Sequence, residues 1–172
     1  MTIPYRWLAL LGFVACAAAM AFALYLQVYQ GLEPCPMCIF QRVAMIATGL
    51  VFFVAAVHAP RGGGARGFYS VLGMLMSLAG AGIAARHVWL QGLPPDQVPA
   101  CGPTLDYLMD VLPLKQVVTT VLSGDGNCAI IDAQFMGVSL PGWTLAAFAG
   151  ITLYWIAIPI LSKNQYLSLI HI

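Results

Sequence analysis

Four stretches of this chain are long enough and apolar enough to cross a lipid bilayer, which removes most folds from consideration. A hydrocarbon core of about 30 Å needs about 20 apolar residues in a helix. The stretches run from about Trp7 to Tyr29, Ile39 to His58, Phe68 to Leu90 and Trp143 to Leu161. Lipid offers no hydrogen-bonding partner to the backbone, so each stretch is expected to be an α-helix. Hydrophobic residues fill 61 % of the 172 positions and charged residues 8 %. So few charges cannot cover a soluble surface. The apolar, aromatic content excludes disorder. A net charge of +1 offers no basic patch for nucleic acid. The expected fold is an all-α membrane protein, a four-transmembrane-helix bundle forming one integral membrane domain over residues 1–172, without an internal repeat.

The first span has a competing reading as a secretory signal. Arg6 precedes it, and Ala19-Met20-Ala21 resembles a cleavage site. Its apolar run exceeds the usual signal core of about 7–15 residues, so it is read as a retained helix. Trp7, Tyr29, Trp89 and Trp143 stand at span ends, where amphipathic rings meet headgroups. Arg6, Arg61, Arg66 and Lys163 fall on one side of a four-span topology. The positive-inside rule makes that side, with both termini, cytoplasmic. The acids Glu33, Asp96, Asp106, Asp110, Asp125 and Asp132 all fall on the other side.

Two connections differ in character. Gly62-Gly63-Gly64 reads as a flexible cytoplasmic connector. The long outer loop, about residues 91–142, alternates apolar and charged residues through Leu105–Met109 and Leu112–Val118. It is expected to carry one or two short helices on the membrane surface, interrupted at Pro113.

Of the five cysteines, Cys16 lies within the first span and reads as a small buried apolar residue. Cys35, Cys38, Cys101 and Cys128 all fall on the outer side. If that side is a bacterial periplasm, disulfides persist there. Cys35-Pro36-Met37-Cys38 is a C-x-x-C motif where the second span opens. Pro36 suits a first helical turn. Cys38 then sits near a helix N-terminus, whose free N–H groups favour a thiolate. Arg42 lies one turn deeper on the same face. It suits either an electron-rich sulfur or an oxygen gaining negative charge, or else it snorkels to the interface. His87, near the outer end of the third span, would grip an apolar cofactor together with Arg42. Alone it would read as an interfacial histidine.

Cys101 and Cys128 lie among turn-forming residues of the outer loop. They could close a structural disulfide, worth about 3 kcal/mol in the chain-entropy model, or an exposed, exchangeable one. Zinc would favour two paired C-x-x-C units. Only one is present, so no metal is expected.

Taken together, these motifs resemble the DsbB family of bacterial disulfide bond formation proteins. The resemblance rests on Cys35-Pro-Met-Cys38-Ile-Phe-Gln-Arg42, Arg86-His87-Val-Trp-Leu-Gln91, Ala100-Cys101-Gly102, Leu112-Pro-Leu-Lys115, Gly126-Asn-Cys128-Ala129 and Leu140-Pro-Gly-Trp143. It covers nearly the whole chain. It implies an inner-membrane oxidoreductase that reoxidises a periplasmic thioredoxin-fold partner, DsbA, and passes electrons to ubiquinone or menaquinone. It also implies an order of exchange. DsbA attacks Cys101, the resting partner of Cys128; Cys35 then exchanges with Cys128; and Cys38 is left facing the quinone, with Arg42 and His87 at the quinone site. Gln41 departs from relatives that carry an acid there, and the segment after Cys128 lacks a tryptophan found in some of them. A DsbI-like paralogue with a dedicated partner fits the same motifs, as would a scaffold with structural disulfides. A vitamin K epoxide reductase-like enzyme would carry its C-x-x-C later in the helix order.

Overall fold

In the computed structural model, which describes residues 4–131 and 133–170 with side chains through Ser162, four long helices carry the apolar stretches. They are α1 (Tyr5–Gln30), α2 (Pro36–His58), α3 (Gly63–Gln91) and α7 (Leu140–Ile170). Each contains a window hydrophobic enough to span a membrane, so the chain is an all-α, multi-pass membrane protein. Each helix runs a few residues beyond its apolar stretch, because polar and small residues at the ends continue the turn. The Gly62–Gly64 connector is shorter than its composition suggests: Gly62 caps α3, and Gly63 and Gly64 form its first turn. Lys163, Asp132 and the His171 end of the tail lie outside the described side chains.

The bundle is assembled by small residues meeting large rings. α1 packs on α2, α2 on α3, and α3 on α7. A Cβ on Gly73 or Gly80 of α3 would overlap Trp155 or Phe148 of α7, and one on Gly12 of α1 would overlap Phe52 of α2. Phe52 in turn stacks on Trp155, centroids 3.9 Å apart. Lipid tails are as apolar as these side chains, so close van der Waals contact drives the association. Cys16 is buried where α1 meets α2, opposite Gly49, as the apolar reading expects.

Polar cross-links add direction. Ser77 and Thr152 share a 2.8 Å hydrogen bond between α3 and α7, and the Tyr154 hydroxyl donates to the Leu8 carbonyl of α1 at 2.7 Å. At the Arg61 end, Arg66 donates to the Pro60 carbonyl at 2.8 Å and to Ser162 at 3.3 Å, with its guanidinium over the Tyr5 ring.

The outer loop carries three short helices, α4 (Leu105–Val111), α5 (Leu114–Ser123) and α6 (Gly126–Ala129). Pro113 stands as the N-cap of α5 and separates it from α4. α5 buries Val117 and Val121 in a second, smaller core with Met37, Leu90, Leu108 and Cys128. Arg86 donates to the last carbonyls of α5, Leu122 at 3.3 Å and Ser123 at 2.9 Å. This places a cation on the negative end of the helix dipole. A two-stranded hairpin that the sequence did not signal, β1 (Gln134–Phe135) with β2 (Val138–Ser139), leads into α7. Its turn places Met136 and Gly137 at positive φ.

The glycine–ring contacts predict a specific loss. Gly73→Val should destabilise the bundle by about 1–3 kcal/mol through overpacking, whereas Gly82→Val, at a position with open space, should change little. Unfolding midpoints in detergent compare the two directly.

Candidate functional site

The site is built where α2 begins. Cys35 is the N-cap of α2 and Pro36 occupies its first turn. Proline has no N–H to leave unsatisfied there. The Cys35 sulfur accepts from the Cys38 backbone N–H at 3.4 Å, doing the work of a capping oxygen. The same turn brings the two Sγ atoms to 3.1 Å. Small backbone adjustments would join or part them.

α3 supplies the third member. His87 is 2 % exposed, so it does not face headgroups as it would standing alone. Its Nε2 lies 3.8 Å from Cys35 Sγ and its Nδ1 4.0 Å from Cys38 Sγ. Gln41, one turn into α2 and itself buried, places its amide 3.1 Å from Nδ1. An amide is both donor and acceptor. It therefore supports the ring with a proton on either nitrogen, where a carboxylate only accepts.

Arg42 lies one turn below Cys38, and its guanidinium reaches to α1, donating to the Gln27 side chain and to the Ala23 carbonyl. A guanidinium has five N–H donors, so donors remain for the space beside it. That space is a cavity of about 280 Å³. Cys35, Cys38, Gln41, Arg42 and His87 line its polar end, and Ala23 and Leu26 of α1 with Trp143 and Ala147 of α7 line its apolar walls.

The loop cysteines are treated differently. Cys101 is exposed and Cys128 is 1 % exposed. The two segments meet closely: Gly126 N–H donates to the Ala100 carbonyl at 3.1 Å, and a Cβ on Gly126 would come within 3.1 Å of Cys101 Sγ. Asp125 caps α6 by accepting from the Cys128 N–H at 3.1 Å. Cys128 packs into the small core with Met37 and Cys35. Hydrogen bonding with Cys35 and then burial push its thiol well above the usual range. All five cysteines are free thiols in this structure.

Thus Cys35, Cys38 and His87 come together, with Cys128 against Cys35; Arg42 lines the same cavity, and Cys101 is exposed at the surface. The residues missed were Gln41, as the support of His87, and Arg86, as the anchor of α5. Arg86 had a signal in its adjacency to His87, but its partners are far along the chain.

Comparison with known proteins identifies the family. The family model described as disulfide bond formation protein DsbB matches residues 5–158. A disulfide bond formation protein B of Nitrosococcus oceani is 48 % identical over 157 residues, covering 90 % of this chain and 92 % of the relative. One from Acinetobacter baumannii is 52 % identical over 148 residues, 86 % of each chain. One from Hahella chejuensis is 49 % identical over 150 residues, 87 % and 90 %.

The burial contrast predicts an order of labelling. In the fully reduced protein at neutral pH, Cys101 should react with a maleimide first and Cys128 slowly. A raised thiol is protonated at neutral pH, so Cys128 labelling should accelerate as pH rises. Cys35→Ala removes the largest cause and should speed it at fixed pH. Mass spectrometry of timed samples reads both effects; equal rates for the two cysteines would contradict the arrangement.

Proposed function

The chain belongs to the DsbB family of disulfide bond formation proteins, and from that premise we propose that it reoxidises a periplasmic thioredoxin-fold thiol oxidase of the DsbA kind and delivers the electrons to a membrane quinone. Family membership makes it a disulfide oxidoreductase. The observation that carries the finer reading is the cavity: one end holds a dithiol, an imidazole and a guanidinium, Glu33, Gln91, Asn127 and Thr144 add polar groups to the lining, and most of the remaining wall is apolar. A lipid-soluble quinone has that division, with polar carbonyls on a ring and an apolar tail. Apolar walls with a few convergent polar groups are what such sites use.

When bound, ubiquinone or menaquinone would supply a two-electron, two-proton acceptor. Arg42 and His87 would hold its polar edge. The chain's own residues perform the thiol chemistry. Cys101, exposed on the loop, is open to a thiolate of the soluble partner. Attack there forms a mixed disulfide and releases Cys128 as the leaving thiolate if the resting loop is oxidised. Cys128 lies against Cys35, so an attack by Cys128 on Cys35 of an oxidised pair expels Cys38. The departing Cys38 sulfur is at the N-terminal turn of α2 and lines the cavity. Helix N–H groups stabilise it as a thiolate. His87, within 4.0 Å of both sulfurs, is placed to accept a proton from one and return it elsewhere, and Gln41 keeps the ring oriented through either state. Arg42, held by the Gln27 side chain and the Ala23 carbonyl, counters negative charge in the cavity.

The compartment follows from the loops. Arg61 and Arg66 mark the cytoplasmic end and the cysteine site the periplasmic end, in the bacterial inner membrane, with both termini cytoplasmic. The DsbI-like alternative shares this chemistry and differs only in its partner.

The test is turnover of the detergent-purified protein with reduced DsbA and a soluble ubiquinone analogue, followed by quinone absorbance. Cys38→Ser should abolish quinone reduction. Cys101→Ser should block partner oxidation while leaving quinone bound. Arg42→His should raise the apparent KM for quinone about tenfold, as losing a charged hydrogen-bond donor worth roughly 1.5–3 kcal/mol implies; an unchanged KM would remove Arg42 from the site. A flat trace with both quinone types would overturn the relay. Independently, Arg61→Cys should label only from the cytoplasmic side of oriented vesicles.

A further inference from the structure

Cys35, Cys38 and His87 present three donor atoms within 4.8 Å of one another, all at the rim of one cavity. We propose that the dithiol form of this cluster is a binding site for one thiophilic divalent cation of the zinc–cadmium class, and that occupation blocks thiol exchange. Only the reduced dithiol is required for binding; the block on turnover rests on the relay proposed above.

The geometry is close to what such a cation demands. Tetrahedral zinc with Zn–S bonds of about 2.3 Å and Zn–N bonds of about 2.0–2.1 Å sets ligand atoms roughly 3.6–3.8 Å apart. Cys35 Sγ lies 3.8 Å from His87 Nε2 and 3.1 Å from Cys38 Sγ. The third edge lies within 4.8 Å, so opening the sulfur pair by well under 1 Å and drawing Cys38 and the imidazole together by about 1 Å or less completes the set. Helix α2 begins at this turn, so the adjustment falls on its first residues.

The support around the imidazole also matches. A metal-bound histidine usually gives its other ring N–H to an oxygen, which fixes the ring and raises its basicity. The buried Gln41 amide stands 3.1 Å from Nδ1. With its carbonyl turned to the ring it accepts the Nδ1 proton, and the Nε2 lone pair faces Cys35. Sequence spacing does not reveal this site, because a count of paired C-x-x-C units does not see a histidine on another helix.

Charge favours the complex. Two thiolates and a dication sum to zero beside apolar walls, where an uncompensated dithiolate would be costly. Arg42, the nearest guanidinium lining the cavity, is turned to α1. Binding releases the two thiol protons to water and moves no electrons. Three protein ligands leave a fourth position to solvent, the open arrangement of exchangeable zinc. A sulfur held by the cation is no longer a free nucleophile, so the relay stops until the cation is removed.

The experiment titrates cadmium into the reduced, detergent-purified protein under anaerobic conditions and follows the cadmium–thiolate charge-transfer band. One equivalent per chain is expected, reversed by a chelator and absent from the protein with Cys35 and Cys38 oxidised. Cys38→Ser should eliminate it, His87→Gln should weaken it by tenfold or more, and Cys101→Ser should leave it intact. Helical circular dichroism checks that each variant is folded. A missing band in the reduced protein, or one that survives Cys38→Ser, would overturn the site. The two readings separate cleanly. Turnover in metal-free buffer with no cadmium band sinks the metal site alone, and a band in a protein that never reduces quinone sinks the relay alone.

Discussion

Everything in the site depends on one short contact, the Cys38 amide against the Cys35 sulfur. A helix that starts at a membrane edge exposes its first N–H groups, and each must be satisfied. Here a cysteine sulfur of the C-x-x-C pair serves as the cap. Structural and chemical demands therefore fall on the same atom. Any change in the bonding of Cys35 alters the end of α2 as well as the state of the pair.

The rest of the bundle holds α3 still against that turn. Ring-into-glycine packing at Gly73 and Gly80 fixes α3 on α7, and the Ser77–Thr152 bond fixes its height. His87 is carried near the outer end of α3, about two turns beyond Gly80. A rigid helix translates distant packing into the placement of an imidazole within 4.0 Å of two sulfurs. Arg86, the preceding residue, uses the same helix end to secure α5, so the loop core that buries Cys128 is referenced to the same element as the histidine.

How much of this was legible depends on distance along the chain. The spans and the start of α2 were readable because hydropathy and Pro36 act locally. The break at Pro113 was readable for the same reason. The place of His87 near the outer end of its span was readable, but its approach to Cys35 and its support by Gln41 were not, because both depend on the rotation of α3 about its axis. That rotation is decided by which small residues meet Trp155 and Phe148. Arg42 shows the limit most clearly: helical spacing placed it one turn beneath Cys38, and the acceptors that orient its long side chain, which are on α1, could not be read. The Gly62–Gly64 run shows the opposite error, since a tertiary contact by Arg66 near the start of α3 overrides the low helix propensity of glycine. The hairpin before α7 had only Gly137 as a cue.

The unequal exposure of Cys101 and Cys128 has a consequence for leakage. Small oxidants, peroxides and free thiols in the surrounding fluid collide with Cys101 but are shut out from Cys128, which sits at 1 % exposure under the loop helices. In the relay proposed above, reducing equivalents that had passed Cys101 would be insulated from scavengers. The loop would then act as a sheathed conductor with one bare contact, and side reactions would concentrate on Cys101 rather than on the buried Cys128.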